Sequence, residues 1–391
     1  MEKVRYGIVG IGKQGSMYAS RLHGGKDKNG VLVAVCDENE SRRAWAEKEL
    51  SGVKVFSDYN EMFKSGLINA VIVVTPHYFH PEVCIAGLNA GLNVLCDKPV
   101  GVYTKAVREV NKLALEKKEQ IFGMMYNQRT DPLYKKAKEI IDSGALGNLK
   151  RVSWIITDWY RPQAYYNQGG WRGTWAGEGG GVLINQCPHQ LDLLQWLCGM
   201  PVKVAGYAKC GVNREINVEN DVTAYFEFAN GASGVFITST HDSPGTNRLE
   251  IDGDGGQIVV DLGRLGTGKL TYYKLSEFES KFNKETTKFM PRIAGVNKTF
   301  KLGAIGRIKS VLNGQHIAVI RRFSEVVLRK PNLTLIANGA EGINGLTISN
   351  AIHLSSWLGK PVTLPLDEDL FIAELGKRKV EEQATSKKEV K

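Results

Sequence analysis

A short apolar segment followed by three spaced glycines stands at the start of the chain. Val4–Val9 precede the pattern G-x-G-x-x-G, whose glycines are Gly10, Gly12 and Gly15. The first glycine permits a tight turn, the second lets the main chain approach a pyrophosphate, and the third lets the next helix pack on the strand. The N terminus of that helix presents unpaired N–H groups to phosphates. The segment therefore predicts a dinucleotide-binding strand–turn–helix unit.

The residues after the glycine turn supply the context that this prediction requires. A helical segment over 14–23 leads to a second apolar run, Val31–Cys36, which ends at Asp37. A carboxylate at this spacing binds the ribose hydroxyls of NAD and repels the 2′-phosphate of NADP. We therefore expect NAD as the cofactor. Arg42 and Arg43 follow closely, so NADP remains open as the less favoured cofactor.

Length, charge and composition limit the class of protein. A chain of 391 residues with 42% apolar and 24% charged residues predicts about two folded domains. No apolar run approaches the ~20 residues that cross a bilayer. The first strand leaves no room for a secretory leader, and the six scattered cysteines include no C-x-x-C pair, so we expect a cytoplasmic protein. The net charge of +10 comes with no nucleic-acid-binding motif, so we expect no nucleic-acid partner.

The distribution of apolar segments indicates two domains of different class. Strand and helix patterns alternate over residues 1–126, which predicts an α/β Rossmann domain with a doubly wound parallel sheet. Residues 127–375 carry several β-runs, and Asn230-Gly231 is a strong hairpin signal between two of them. This part predicts an α+β domain with a large open antiparallel sheet. We expect residues 275–312 to form an irregular excursion or a lid and residues 376–391 to form a charged, flexible tail.

Unusual residues follow several strands of the predicted parallel sheet. They are the glycine turn, Asp37, Thr75-Pro76 and Asp97-Lys98-Pro99. Ligands bind at the carboxyl ends of strands in such sheets, so these residues are expected to share one edge. Lys98 would then lie near the nicotinamide end of the cofactor. The alternative is that Lys98 is an ordinary solvated loop lysine.

A glycine run followed by polar residues marks a second candidate site. Gly179–Gly181 precede Asn185, His189 and Asp192, whose i, i+4, i+7 spacing predicts one face of a helix over 186–198. An imidazole beside a glycine run suits general acid–base chemistry, because it titrates near neutral pH. The alternative is a helix capped by Asn185 with a structural His189. No further metal-ligand spacing accompanies this segment, so we expect no metal.

Aromatic and arginine side chains lie just before the glycine run. Tyr160, Trp171 and Arg172 are expected to bind a sugar, because aromatic rings stack on sugar C–H faces and arginine donates to vicinal hydroxyls. The alternative places Trp171 and Trp175 in the core.

Over nearly its whole length the chain resembles the glucose–fructose oxidoreductase, inositol dehydrogenase and MocA family. The shared motifs, in order, are the glycine turn, Asp37, T-P-x-x-x-H at Thr75, the D-K-P triplet and the helix with His189. The resemblance implies a Rossmann domain and an open antiparallel sheet whose free face forms homodimers or homotetramers. It implies catalytic roles for Lys98, which contacts the reacting hydroxyl and the nicotinamide ribose, and for His189, the acid–base group. The expected cofactor-binding residues are Gly10, Gly12, Lys13, Gln14, Gly15, Asp37, Thr75, Pro76, His80 and Lys98.

The expected substrate-binding residues are Lys98, Tyr160, Trp171, Arg172, Asn185 and His189. The chain departs from the family pattern where Asp97 replaces a glutamate and Asn185 replaces an aspartate. We expect Asn185 to bind a substrate hydroxyl. The implied function is NAD-dependent oxidation of a secondary hydroxyl of a sugar, glycoside or cyclitol. Two alternatives remain: a glycosidase that retains NAD and oxidises its substrate transiently, and a non-catalytic NAD-binding sensor.

Overall fold

The structure, a computed structural model, describes residues 2–263, 267–303 and 314–389. These residues form two compact units. The first contains the residues up to Thr130 together with Gly177–Gly179 and Gly314–Leu346. The second contains the other described residues.

A six-stranded parallel sheet organises the first unit, in the order β3-β2-β1-β4-β5-β6. Its strands are β1 (Val4–Val9), β2 (Gly30–Cys36), β3 (Lys54–Phe56), β4 (Ala70–Val73), β5 (Asn93–Cys96) and β6 (Phe122–Met124). The helices between them are α1 (Lys13–His23), α2 (Glu40–Glu49), α3 (Tyr59–Lys64), α4 (His80–Asn89) and α5 (Thr104–Glu116). The order reverses between β1 and β4, which confirms the predicted doubly wound Rossmann fold.

A helix from late in the chain completes the core of the first unit. Gln315–Val327 buries Ile317, Ile320 and Phe323 in the same apolar cluster as the residues of β1. The buried Ser324 hydroxyl donates to Asp27 at 2.6 Å and accepts from Tyr6, also at 2.6 Å. Residues 314–346 therefore belong to the first unit, although we expected them within the second domain.

A nine-stranded sheet organises the second unit, in the order β14-β13-β12-β11-β7-β10-β9-β8-β15. Its strands are β7 (Leu149–Ile156), β8 (Lys203–Cys210), β9 (Glu219–Glu227), β10 (Ser233–Ser239), β11 (Asn247–Gly253), β12 (Gly256–Leu262), β13 (Gly268–Leu275), β14 (Gly295–Leu302) and β15 (Val362–Thr363). The other described helices are α6 (Pro132–Asp142), α7 (Gln163–Tyr166), α8 (Pro188–Cys198), α9 (Glu279–Glu285), α10 (Gln315–Val327), α11 (Gly342–Leu358) and α12 (Glu368–Glu389).

The large sheet differs from the expected one in its detail. β10 pairs with β7 in parallel while every other described pair is antiparallel, so the predicted antiparallel sheet is mixed. The expectation of an irregular segment over 275–312 is wrong for Glu279–Glu285 and Gly295–Leu302, which form α9 and β14. Residues 286–294 are irregular, and residues 304–312 lie outside the described residues.

The two faces of the large sheet have different environments. Val152, Trp154 and Ile156 of β7 point to the buried face, where α6 packs on β12 and β13. The opposite face presents exposed tyrosines, with Tyr207 71% and Tyr225 43% exposed.

The C-terminal segment is helical rather than a flexible tail. α12 begins at Glu368 and ends at Glu389, and it buries Phe371 and Leu375. The buried carboxylate of Glu382 accepts hydrogen bonds from the main-chain N–H groups of Trp175 and Ala176 at 2.8 and 2.9 Å. These contacts fix a segment whose charge alone suggested disorder. None of the helices in the described ranges is both long enough and apolar enough to cross a bilayer.

Candidate active site

The glycine turn has the geometry that its sequence predicts. Gly10 has φ +88°, and a Cβ there would lie 2.6 Å from the carbonyl oxygen of Val74. A Cβ on Gly15 would lie 1.9 Å from the Gly10 oxygen, so α1 packs directly on the turn. Around Gly12, by contrast, no atom of the described residues other than its two chain neighbours lies within 4 Å of an ideal Cβ. The turn is therefore tightly packed on its protein side and open at its second glycine.

Asp37 joins the glycine turn to the end of β2. Its carboxylate accepts hydrogen bonds from the Ile11 N–H at 2.8 Å and from the Asn39 N–H at 2.9 Å. Arg42 donates to the carbonyl oxygen of Ile11, and Arg43 donates to that of Asp37. Both guanidinium groups thus bind main-chain oxygens, while the charged carboxylate keeps acceptor capacity for a ribose diol.

A cavity of about 440 Å³ lies beside Asp37 at the carboxyl ends of the strands. It is lined by Val9, Gly10, Cys36, Asp37, Glu38, Ser57, Asp58, Tyr59, Thr75, Pro76, Phe79, Glu82 and Val83. The Thr75 hydroxyl is buried and has no hydrogen-bond partner within the described structure. Such a group costs about 1–3 kcal/mol unless something satisfies it. The open Gly12, the Asp37 carboxylate and this hydroxyl together fit a nicotinamide dinucleotide.

Three other predicted cofactor residues lie on the same elements. Lys13 and Gln14 lie in the first turn of α1, where Lys13 is exposed and Gln14 is partly buried. His80 is buried, with Nε2 2.6 Å from the Thr75 carbonyl oxygen and Nδ1 2.6 Å from that of Pro99. His80 thus ties the end of β4 to the turn after Lys98 and is absent from the cavity wall. Burial lowers the pKa of His80.

Lys98 follows a buried carboxylate at the end of β5. Asp97 accepts from the Lys98 N–H at 2.8 Å and from the Tyr18 hydroxyl at 3.3 Å. Burial raises the pKa of Asp97 to about 6, although the Lys98 charge opposes this shift. Burial and the charges of Arg21 and Lys98 lower the pKa of His316 to about 4. Lys98 therefore sits in a partly buried polar environment, unlike a solvated loop lysine.

A buried glutamate holds the glycine run of the second unit. Glu219 is fully buried, and its carboxylate accepts from the N–H of Gly181 at 2.8 Å and of Leu183 at 3.0 Å. Oε2 of Glu219 also lies 3.0 Å from Nε2 of His353, but the geometry of this contact does not meet the criteria for a hydrogen bond. The His353 ring stacks on Trp357. Glu219 was not predicted, because only folding brings β9 to the glycine run.

The helix that carries His189 begins later than predicted. α8 starts at Pro188 with Cys187 at the N-cap position, so Asn185 neither lies on the helix nor caps it. Asn185 occupies the preceding turn, where its N–H donates to the Gly181 carbonyl at 2.9 Å. His189 is mostly buried in the first turn of α8. Asp192 is buried and accepts from the Gln195 side chain at 3.0 Å.

Tyr165 connects the turn before α8 to the predicted sugar-binding residues. Its hydroxyl accepts from Arg172 Nη1 at 2.9 Å and from Asn185 Nδ2 at 3.2 Å. Arg172 also stacks on Trp171, with 4.4 Å from its Cζ to the ring centroid. Tyr160 is half-exposed. Trp175 is buried against His353 and Trp357, so that tryptophan belongs to the core.

Comparison with known proteins gives the family. The description "Oxidoreductase family, NAD-binding Rossmann fold" matches residues 4–125, and "GFO/IDH/MocA C-terminal domain" matches residues 134–259. The chain belongs to the GFO/IDH/MocA oxidoreductase family. This confirms the resemblance, the class of enzyme and NAD as the cofactor. In the described part of the chain no group of three or more His, Cys, Asp or Glu side chains is arranged to hold a metal.

Individual relatives share moderate identity with the chain. It is 25% identical to myo-inositol 2-dehydrogenase of Thermotoga maritima over 79% of its own length and 94% of that protein. It is 30% identical to inositol 2-dehydrogenase of Rubrobacter xylanophilus over 50% of its length and 52% of that protein. The crystal structure of the WlbA dehydrogenase of Bordetella pertussis, with NADH and UDP-GlcNAcA, matches at a TM-score of 0.73. That match has 25% identity and covers 94% of this chain and 100% of the other.

Proposed function

We propose that the protein oxidises a secondary hydroxyl of a sugar, glycoside or cyclitol with NAD as hydride acceptor. The observation that carries the proposal is the polar cluster in the turn before α8, the helix of His189, where the Asn185 amide donates to the Tyr165 hydroxyl. Amide and hydroxyl groups just before the helix of His189 suit a substrate with several hydroxyls. Relatives named inositol 2-dehydrogenase and levoglucosan dehydrogenase support this substrate class.

His189 and Lys98 carry the proposed proton chemistry. NAD, when bound, supplies the carbon that accepts the hydride. His189 takes the hydroxyl proton, and Lys98 donates to the same oxygen and to the nicotinamide ribose. An acid–base group in such a position contributes about 10²–10⁴-fold to the rate.

Asn185 changes the environment of His189 relative to the common family pattern. A carboxylate at this position would stabilise an imidazolium, and an amide does so less because it carries no charge. We propose that Asn185 positions a substrate hydroxyl through its contact with Tyr165. Tyr160, Trp171 and Arg172 would flank the same substrate.

Asp37 supports NAD over NADP. Its carboxylate is fixed by two main-chain N–H groups where the adenosine ribose would bind, and it would repel a 2′-phosphate. Fluorescence titration of both cofactors tests this preference, and tighter binding of NADP would overturn it.

Turnover of a panel of sugars, glycosides and cyclitols with NAD tests the proposed activity. We expect NADH to accumulate with at least one compound and His189→Gln to slow that reaction about 10²–10⁴-fold. Release of an aglycone without net NADH would instead indicate the NAD-retaining glycosidase. Tight NADH binding without turnover of any compound would indicate the sensor.

The exposed face of the large sheet supports a homodimer or homotetramer. Ile155, Tyr207, Tyr225 and Tyr273 are all exposed there, and a face with several exposed large side chains suits a second copy of the chain. Light scattering of the wild type and of Tyr207→Lys tests the proposal; a monomeric wild type would overturn it. We also propose a reducing, cytoplasmic location, because all six cysteines are free thiols. Cell fractionation tests it, and recovery in the extracellular fraction would contradict it.

A further inference from the structure

Three arginines gather around the aromatic residues of the second unit. The guanidinium carbons of Arg161 and Arg172 lie 5.2 and 4.8 Å from the ring centroid of Tyr165. Arg214 lies 5.2 Å from the ring centroid of Tyr160 and donates from Nε to the Arg161 carbonyl oxygen at 2.6 Å. We call these three side chains the arginine cluster. It adjoins the proposed substrate residues, because the Tyr165 hydroxyl contacts Asn185.

The charge of two of these arginines is not balanced by an acidic side chain. Arg161 donates from Nη1 to the carbonyl oxygens of Trp159 and Tyr160, and Arg214 donates to those of Arg161 and Asn213. Within the described ranges, neither has a carboxylate within ion-pair distance. Elsewhere in the second unit, half-buried arginines do pair with acids, as Arg248 does with Glu250.

Both of these arginines also keep buried donor atoms without an acceptor. Nε of Arg161 and Nη2 of Arg214 are buried and have no hydrogen-bond partner in the described structure. An unsatisfied buried donor on a charged group is costly, and planar guanidinium groups bind carboxylate or phosphate oxygens in pairs. Cation–π stacking fixes the planes of the guanidinium groups without using these N–H donors. The cluster is therefore held in place with unused positive charge.

We propose that the arginine cluster binds an anionic group of the substrate, a carboxylate or a phosphate attached to the sugar or cyclitol. This inference rests on the proposed dehydrogenase function and narrows its substrate class. Arg161 and Arg214 supply the charge and the free donors. Arg172, which binds Tyr165, links the anionic group to the part of the substrate that meets Asn185 and His189.

Matched neutral and anionic probes test the proposal. NADH-loaded enzyme is titrated at low salt with myo-inositol, glucose, glucuronate and glucose 6-phosphate, and the change in tryptophan fluorescence gives each affinity. We expect at least one anionic probe to bind at least about tenfold more tightly than both neutral ones, with the advantage reduced by added salt. Preference for glucuronate or for glucose 6-phosphate identifies the anionic group as carboxylate or phosphate.

Arginine variants separate this role from a structural one. Arg161→Gln and Arg214→Gln should each reduce the preference for the anionic probe by about tenfold or more, and Arg161→Lys should restore part of it. Arg151→Gln is the matched control, because Arg151 is exposed on β7, and it should leave the preference unchanged. Thermal unfolding of each variant shows whether it folds. If a glutamine variant fails to fold, the anion preference of Arg161→Lys decides between anion binding and a structural role.

Two results would overturn the inference. One is equal or weaker binding of both anionic probes relative to the neutral probes. The other is an equal loss of affinity for neutral and anionic probes in Arg161→Lys and Arg214→Gln. NAD-dependent turnover of neutral sugars alone would refute the anionic substrate and leave the dehydrogenase proposal standing. Selective anion binding without any NADH formation would refute the dehydrogenase proposal and leave the anion-binding role of the arginine cluster standing.

Discussion

Adding one methyl group to each of two glycines of the same turn should have different effects: a loss of stability at Gly15 and a loss of cofactor affinity at Gly12. An alanine at position 15 would place its Cβ 1.9 Å from the Gly10 carbonyl oxygen, so helix and turn must move apart. An alanine at position 12 would meet no atom of the described residues within 4 Å apart from its chain neighbours, and its backbone φ of −61° is ordinary for any residue. The protein without cofactor should therefore tolerate Gly12→Ala, whereas the added methyl group should interfere with binding of a pyrophosphate.

The expected magnitudes follow from these two environments. Overpacking typically costs about 1–3 kcal/mol, so Gly15→Ala should lower the Tm by about 2–12 °C at about 2–4 °C per kcal/mol. Gly12→Ala should change the free energy of unfolding by less than about 1 kcal/mol, as at other helix N-caps. The Cβ of the alanine would separate the main chain at position 12 from the phosphates of the cofactor. We therefore expect its Kd for NADH to rise at least about tenfold.

Thermal unfolding with and without NADH measures both effects. NADH should raise the Tm of the wild type, because a ligand that binds only the folded state stabilises it. Gly12→Ala should keep the wild-type Tm and lose this increase, whereas Gly15→Ala should begin from a lower Tm. Wild-type NADH affinity in Gly12→Ala would refute the assignment of the open glycine to the cofactor. An unchanged Tm in Gly15→Ala would refute the packing argument.

Three further predictions follow from buried or charged groups. Glu219→Leu leaves two buried N–H groups without an acceptor and should cost about 3–6 kcal/mol of unfolding free energy. Its control, Glu227→Leu on the same strand, removes an exposed ion pair and should cost less than about 1 kcal/mol; equal Tm changes would contradict the role of Glu219. His316, with its pKa lowered to about 4, stays neutral in the folded state while the unfolded state binds a proton below pH ~6.5. The free energy of unfolding therefore decreases as pH falls from about 6.5 toward 4, by about 2 kcal/mol at pH ~5. Denaturant titrations at pH ~7 and ~5 should show that His316→Gln lacks this decrease. An equal decrease in the variant would exclude His316 as its source. Asp37→Asn removes the charge that repels a 2′-phosphate and should shift the ratio of Kd values toward NADP by about tenfold in competitive titrations, whereas an unchanged ratio would locate the discrimination elsewhere.

The features predicted correctly depend on local demands of the chain. A positive φ at Gly10 and the close packing at Gly15 require glycine whatever the rest of the fold does. Strand β4 is a continuous buried apolar run, and β1 is buried except at Arg5; this is typical of a parallel sheet covered on both faces. The strand–helix alternation was therefore sufficient to predict the fold of the first unit up to residue 126.

Features that depend on distant contacts were not predictable. β14 is exposed along nearly all of its length, so it lacks the alternation of apolar and polar residues that marks a half-buried strand. Glu219 becomes a ligand of the glycine run only when β9 folds beside it. The helical C terminus depends on Glu382 reaching the main chain at Trp175.

One error had a local signal that was available. Helical spacing placed Asn185 on the same helix as His189, yet Pro188 favours the first position of a helix. The structure starts α8 at that proline. Giving the proline precedence over the spacing would have placed Asn185 in the preceding turn, where the Tyr165 hydroxyl accepts its amide hydrogen bond.

Transfer of deuterium from the substrate to the cofactor tests the central claim most directly. A sugar or cyclitol that supports turnover is labelled at the carbinol carbon and incubated with NAD and the enzyme. The account predicts one deuterium in the NADH for each oxidised product formed, and loss of the reaction in His189→Gln. NADH without deuterium, or undiminished transfer in the His189 variant, would contradict the proposed hydride transfer and the role of His189.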